Sequence, residues 1–157
     1  DPNYVSALNN KGIDLKNRGR YEEAITWFDK ALEVDPNYVS ALHNKGNALE
    51  NLGRNEEAIT YYDKVLKVDP NFVNALFNKG TALYSLRKYE GAITWFDNVL
   101  EKCPKDVSAL YNKGLALYNL SKYEEATSCF DKVLEINPKD VYALKAKESV
   151  LNRINRK

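Results

Sequence analysis

The chain has no methionine, a single histidine and two cysteines in 157 residues. One histidine, His43, cannot assemble a Ser/His/Asp or Cys/His constellation without partners at a supporting spacing, and none is present. No glycine-rich phosphate loop and no metal-ligand spacing occurs, so the chain is read as non-enzymatic, with no cofactor and no metal. Cys103 and Cys129 form no disulfide framework; two packing thiols point to a reducing compartment and a cytoplasmic location. Apolar runs stop well short of the ~20 residues a membrane span needs, and no signal-peptide pattern opens the chain. Lys and Arg number 23 against 22 Asp and Glu, a net charge of +1 spread along the whole length. No basic patch invites nucleic acid and no polybasic segment invites a membrane surface, which leaves proteins or peptides as partners.

What is present is a period. Ala41-Leu42-His43-Asn44-Lys45-Gly46 recurs 34 residues apart at Ala7–Gly12, Ala75–Gly80 and Ala109–Gly114, with only the third position changing, through Asn9, His43, Phe77 and Tyr111. The prolines fall on the same ladder, at 2, 36, 70, 104 and 138. A fixed period of this length signals stacked units rather than one globular core. It divides the chain into repeats at 5–38, 39–72, 73–106 and 107–140, with a helix at 141–157. Asp1-Pro2-Asn3-Tyr4 duplicates Asp35-Pro36-Asn37-Tyr38, so residues 1–4 read as a linker or the end of a preceding repeat, in a segment of a longer protein.

Each repeat reads as two helices. Leu42, Leu49 and Leu52 mark the first, and Ala58, Ile59, Tyr62, Val65 and Leu66 the second. Gly19 and Gly53 supply the left-handed residue that ends the first helix, and Arg87 and Ser121 take that position in later repeats. Acids at Glu22, Glu23, Glu56, Glu57, Glu90, Glu124 and Glu125 sit where the second helix presents its positive end, an electrostatic role rather than a catalytic one. Proline then breaks the hairpin and can start the next helix. Gly12, Gly46, Gly80 and Gly114, with Ala24, Ala58, Ala92 and Ala126, leave room for close helix approach, and the repeated lysine is expected to hold its charge in water. Asp14 and Arg18 replace apolar residues of later repeats and mark an exposed first unit. At the other end Glu148 replaces the glycine. Val141, Leu144, Leu151 and Ile154 are expected to cover the last hairpin while Lys145, Lys147, Arg153, Arg156 and Lys157 face water, the pattern of a capping helix.

Leu42, Gly46, Leu49, Ala58, Tyr62, Val65 and Pro70, with their counterparts in the other repeats, resemble the tetratricopeptide repeat, a 34-residue helix-turn-helix. The resemblance covers essentially the whole chain. It implies an all-α fold, a right-handed α-solenoid of antiparallel helical hairpins whose first helices line the concave side. It implies nothing specific about the ligand, because the family is a scaffold for unrelated partners.

The first helix of the second repeat keeps an exposed face, Ser40, His43, Asn44, Asn47 and Asn51. Three positions of that face vary between repeats: Asn9, His43, Phe77 and Tyr111; Ile13, Asn47, Thr81 and Leu115; Lys16, Glu50, Tyr84 and Tyr118. The groove is therefore polar in its first half and aromatic in its second, where Phe77, Tyr84, Tyr111, Tyr118 and Tyr142 are candidate anchors. Asn10, Asn44, Asn78 and Asn112 form an unvarying row. Their amides can hydrogen-bond the backbone of an extended peptide, as the similar ladders of the O-linked N-acetylglucosamine transferases imply, or they can join neighbouring helices. The carboxylate clamp of chaperone-binding relatives fits no register. Its basic positions fall on Asn9, Asn74 and Asn78, on His43, Ser108 and Asn112, or on Phe77, Tyr142 and Ala146. Charge-assisted capture of a chaperone C-terminal tail is thus not expected. The leading reading is a protein-interaction scaffold that binds an extended segment in this groove. Alternatives are a self-associating array, against which polar Asp14 and Arg18 favour a monomer with weak end-to-end contact, and the substrate-binding arm of a larger enzyme.

Overall fold

The computed structural model describes residues 2–155, so Asp1, Arg156 and Lys157 lie outside the described residues. Among those described the chain forms nine α-helices and no strand: α1 (Pro2–Asn17), α2 (Tyr21–Val34), α3 (Val39–Asn51), α4 (Asn55–Val68), α5 (Val73–Ser85), α6 (Tyr89–Lys102), α7 (Val107–Asn119), α8 (Tyr123–Ile136) and α9 (Val141–Ile154). They belong to two compact units, Asp1–Ala82 and Leu83–Lys157, whose boundary falls within α5. In the first unit α1, α2, α3 and α4 pack in succession and α1 also touches α3; in the second α6 to α9 do the same and α7 touches α9.

The turns inside the hairpins follow from one backbone requirement. Gly19, Gly53, Arg87 and Ser121 all have positive φ, at 75, 73, 57 and 59°. After α3 the Gly53 amide donates to the Glu50 carbonyl and the Arg54 amide to the Leu49 carbonyl, each at 2.9 Å, the paired bonds of a Schellman cap. The same pair closes α5 and α7 around Arg87 and Ser121, although neither residue is glycine. The ends of the hairpins differ from expectation. Pro36 and Pro70 lie in the turn and do not start a helix, because Asp35 and Asp69 accept the amides of Asn37 and Asn71 at 3.0 and 2.9 Å and close an Asx turn around them. The next helix starts three residues after each proline, at Val39 and Val73. At α7 and α9 it is capped by Asp106 and Asp140, which accept from the Ala109 and Ala143 amides at 2.8 and 2.9 Å. By contrast Pro2, Asn3 and Tyr4, the copy of the Pro36 turn in sequence, belong to α1.

Aromatic rings of the second helices form the centre of both cores. Phe28 and Tyr62 in the first unit, and Phe96 and Phe130 in the second, are completely buried, as are Ala24, Ala58, Ala92 and Ala126. In three copies the repeated glycine faces the ring. A Cβ on Gly12 would stand 2.4 Å from Phe28, on Gly46 2.5 Å from Tyr62 and on Gly114 2.6 Å from Phe130. The glycine therefore makes room for the ring that fills the hairpin.

Two expectations are corrected. The repeated lysine does not leave its charge in water: Lys45 pairs with Asp29, Lys79 with Asp63, Lys113 with Asp97 at 2.5 Å and Lys147 with Asp131 at 2.6 Å. Each bond ties a first helix to the second helix of the preceding repeat. Lys45 is buried and its ammonium lies 4.3 Å over the Tyr61 ring. Burial, the largest single influence, would lower its pKa, but the hydrogen bonds and charge interactions with Asp29 and Tyr61 together outweigh it and the net shift is upward. In α9, Val141, Leu144 and Leu151 are 56, 48 and 42 % exposed and do not cover the preceding hairpin; Ala143 and Val150 are buried, with Ala146 and Ile154 packed beside them. Leu144 and Leu151 occupy the positions of Leu42 and Leu49, which are buried on α3, whereas α9 packs against α8 through another face, that of Ala143 and Val150. Asp14 and Arg18 do form an exposed ion pair, at 3.1 Å.

Two substitution pairs test these packing assignments by chemical denaturation. Arg87→Gly and Ser121→Gly should each stabilise by about 1 kcal/mol, since glycine adopts positive φ without strain. Gly46→Ala should destabilise by about 1–3 kcal/mol against the fixed Tyr62 ring. Gly91→Ala, whose new Cβ would rest 3.5 Å from Leu83, should instead stabilise by up to about 1 kcal/mol.

Candidate functional site

In the first unit α1, α3 and α5 line an open groove of about 600 Å³, with Lys16, Asn47, Glu50, Phe77, Asn78 and Thr81 on its walls. The helical spacing of Asn44, Asn47 and Asn51 puts these side chains on one side of α3, opposite buried Leu42 and Leu49. A polar network connects the walls. Asn78 Nδ2 donates to Asn47 Oδ1 at 2.7 Å and to His43 Nε2 at 3.1 Å, which uses both amide hydrogens and places the imidazole proton on Nδ1. Tyr62 Oη lies 2.7 Å from Glu50 Oε2 and 2.9 Å from Asn47 Oδ1, while Thr81 Oγ1 lies 2.7 Å from Glu50 Oε1. Towards α1, Lys16 Nζ donates to Asn44 Oδ1 at 2.7 Å, and Asn44 Nδ2 donates to the Ser40 carbonyl at 2.8 Å.

This environment sets the ionisation of the groove. Burial, then the charge on Lys16, pushes the His43 imidazole down to about 4, so it is neutral near pH 7. Its ring packs 5.1 Å from Phe72 and 6.1 Å from Tyr62. The Tyr62 phenol is driven upward by burial and then by the negative charge of Glu50, and it stays a neutral donor. His43 is thus a neutral hydrogen-bond acceptor held among rings.

In the second unit α7 and α9 enclose a pocket of about 350 Å³ lined by Tyr111, Leu115, Tyr118, Phe130, Tyr142 and Lys145, among others. Tyr111 packs against Phe130 at 5.7 Å and Tyr118 against Tyr123 at 5.6 Å. The Tyr118 hydroxyl oxygen accepts from Arg153 Nε at 3.2 Å, and that of Tyr84, edge-on to Tyr89, accepts from Asn119 Nδ2 at 3.1 Å. Asn112 is partly exposed and donates to the Ser108 carbonyl at 2.8 Å.

Of the residues expected on the binding face, Asn47, Phe77 and Asn78 line the first groove, Asn44 and His43 bond to its lining residues Lys16 and Asn78, and Tyr111 and Tyr118 line the second pocket. Asn10 is exposed on α1, and Tyr84 lies beside Tyr89, outside the pocket lining. Asn9 is a correction: expected on the open face, it is 3 % exposed, because its position turns inward on α1 between buried Val5 and Leu8 and the core. Its Oδ1 is buried without a hydrogen-bond partner. Lys145, Ser149 and Arg153 were absent from the expected face. They stand 34 residues after Tyr111, Leu115 and Asn119, so carrying the period one helix further locates them. Because the His43 pKa is depressed on folding from an ordinary ~6.5, the unfolded chain takes up the proton first as pH falls. Stability should therefore decline from about pH 6.5 to about 4 on this account, and thermal melts of His43→Phe over that range should show a flatter profile than the parent.

Models of the tetratricopeptide repeat match residues 43–107 and 107–140, and a further model described as TPR repeat matches residues 14–53. No curated protein matches the chain by sequence. Among solved structures, the MamA RS-1 ArsTM double mutant is 28 % identical, with a TM-score of 0.90, and the match covers 95 % of this chain and 84 % of that one. A segment of MamA from Desulfovibrio magneticus RS-1, residue 41 to the end, is 25 % identical with a TM-score of 0.85, covering 97 and 92 %. A tetratricopeptide repeat protein from Parabacteroides merdae ATCC 43184 is 26 % identical with a TM-score of 0.87, covering 96 and 60 %. The family matches together run from residue 14 to residue 140 over helices that keep the 34-residue period, and the chain belongs to the tetratricopeptide-repeat family, with an all-α fold of the α-solenoid class.

Proposed function

We propose that the chain is a non-catalytic protein-interaction scaffold that binds an extended peptide or partner segment along the first helices of its repeats. The observation that carries this reading is the first-unit groove. Three first helices there present Lys16, Asn47, Glu50, Asn78 and Thr81 towards one open volume of about 600 Å³, a mixed donor and acceptor lining suited to a peptide backbone. The asparagines are engaged in the free protein, but Asn44 and Asn112 each send a donor only to a carbonyl four residues back, a bond that a peptide carbonyl can replace. A chaperone C-terminal tail is not the proposed ligand, since the positions where a clamp needs cations hold neutral residues, Asn9, Asn74 and Asn78 in one register and His43, Ser108 and Asn112 in the next. A peptide array probed with the intact chain should retain sequences that compete with one another for it. Replacing Asn44, Asn78 and Asn112 together by alanine should lower their affinity roughly tenfold or more, with helicity unchanged by circular dichroism. Full affinity in that variant removes the amide row from the site.

Self-association is a second reading favoured by one observation, the apolar line Val141, Leu144 and Leu151 exposed on α9. Sedimentation velocity over a concentration series checks it. A monomer at every concentration eliminates this reading, and a dimer lost in Leu144→Glu supports it.

A further inference from the structure

The pocket of the second unit differs from the first-unit groove in both shape and charge. Its volume of about 350 Å³ lies at the small end of the ~300–1,000 Å³ typical of ligand pockets, enough to enclose one large side chain. Tyr111, Leu115, Tyr118 and Tyr142 give it an apolar body, and Tyr142 is 74 % exposed at its mouth. The polar groups at the rim are donors. Lys145 lines the pocket and is exposed, and exposed Arg153 bonds the Tyr118 hydroxyl through its Nε, its terminal nitrogens having no hydrogen-bond partner among the described residues. Tyr118, having accepted that bond, keeps its own proton to donate.

Among the described residues no carboxylate forms an ion pair with Lys145 or Arg153. Asp140, which lies close enough to Tyr111 to raise its pKa after burial has done so, is engaged as the cap of α9 through the Ala143 amide at 2.9 Å. Glu148 lies on a different side of α9 from the line Tyr142, Lys145 and Ser149. An apolar cavity with two cations and a phenol at one edge complements an apolar side chain next to anionic ones.

We infer that this pocket selects an acidic peptide, taking an aromatic or large aliphatic side chain between Tyr111, Tyr118 and Tyr142 while neighbouring Asp or Glu carboxylates meet Lys145 and Arg153. The inference rests on the peptide-binding reading above and names the class of peptide that the second unit takes. Both cations are exposed, so each pair contributes modestly and weakens with salt.

The test uses three acetylated, amidated fluorescent nonapeptides with a central Leu-Phe flanked by Glu, by Gln or by Lys, titrated with the intact chain at low and physiological salt. The Glu peptide should bind about fivefold or more tightly than the Gln peptide, the Lys peptide most weakly, and the gap should narrow with salt. The double variant Lys145→Glu/Arg153→Glu, whose exposed positions leave the core untouched, should reverse the order of the Glu and Lys peptides. Exchanging the central Phe for Ser should weaken all three. Equal affinity for the Glu and Gln peptides, or a preference that survives the double variant, overturns the inference while leaving the scaffold reading intact if the peptide array still shows competing ligands. If neither the array nor these peptides bind, both readings fail. Peptides displaced as the chain self-associates would assign the pocket to a second copy and also overturn it.

Discussion

The contact on which the first, second and fourth repeats are built is an aromatic ring lying against a glycine backbone. Phe28 on Gly12, Tyr62 on Gly46 and Phe130 on Gly114 bring the two helices of a hairpin to a separation that any larger side chain would increase. With that side of the first helix committed to the ring, its opposite side is left free to vary. In the second repeat the ring has a further role: Tyr62 is fully buried, yet its hydroxyl reaches Asn47 and Glu50 at the groove. Phe28 and Phe130 have no hydroxyl to extend, and the Phe130 pocket is correspondingly apolar.

Charge is distributed by the same periodicity. The lysine beside the glycine bonds an aspartate sixteen residues earlier, and this pairing in four successive copies fixes each first helix against the preceding second helix. Such pairs are partly exposed and contribute orientation more than stability. They also engage Lys45, Lys79, Lys113 and Lys147, so the cations beside the first-unit groove and the second-unit pocket, Lys16, Lys145 and Arg153, lie off the ladder.

Much of this was legible in the sequence because a period samples one structural position several times. Four copies of the helix-ending turn, two with glycine and two with Arg87 and Ser121, identified the positive-φ residue in all of them. The face carrying His43, Asn44 and Asn47 followed from helical spacing alone. What failed was any inference that needed a partner from another repeat. The lysine was read as solvated because Asp29, sixteen residues back on another helix, is invisible to local spacing. Asn9 was placed on the open face by analogy with His43, whereas it is buried on α1. The covering face of α9 was assigned from its leucines, but Ala143 and Val150 fill it, since small side chains suffice where helices approach closely.

The proposed binding mode requires a ligand to meet the first helices. Amide and side-chain amide NMR of the isotopically labelled chain, titrated with an array-selected peptide, tests that directly. The account predicts that the largest shift changes fall on α3, α5, α7 and α9, including the Asn44, Asn78 and Asn112 side-chain amides, with the solvent faces of α2, α4 and α8 unmoved. Changes concentrated at Glu22, Glu56 and Glu124 on those second helices, with the asparagine amides unshifted, would contradict it.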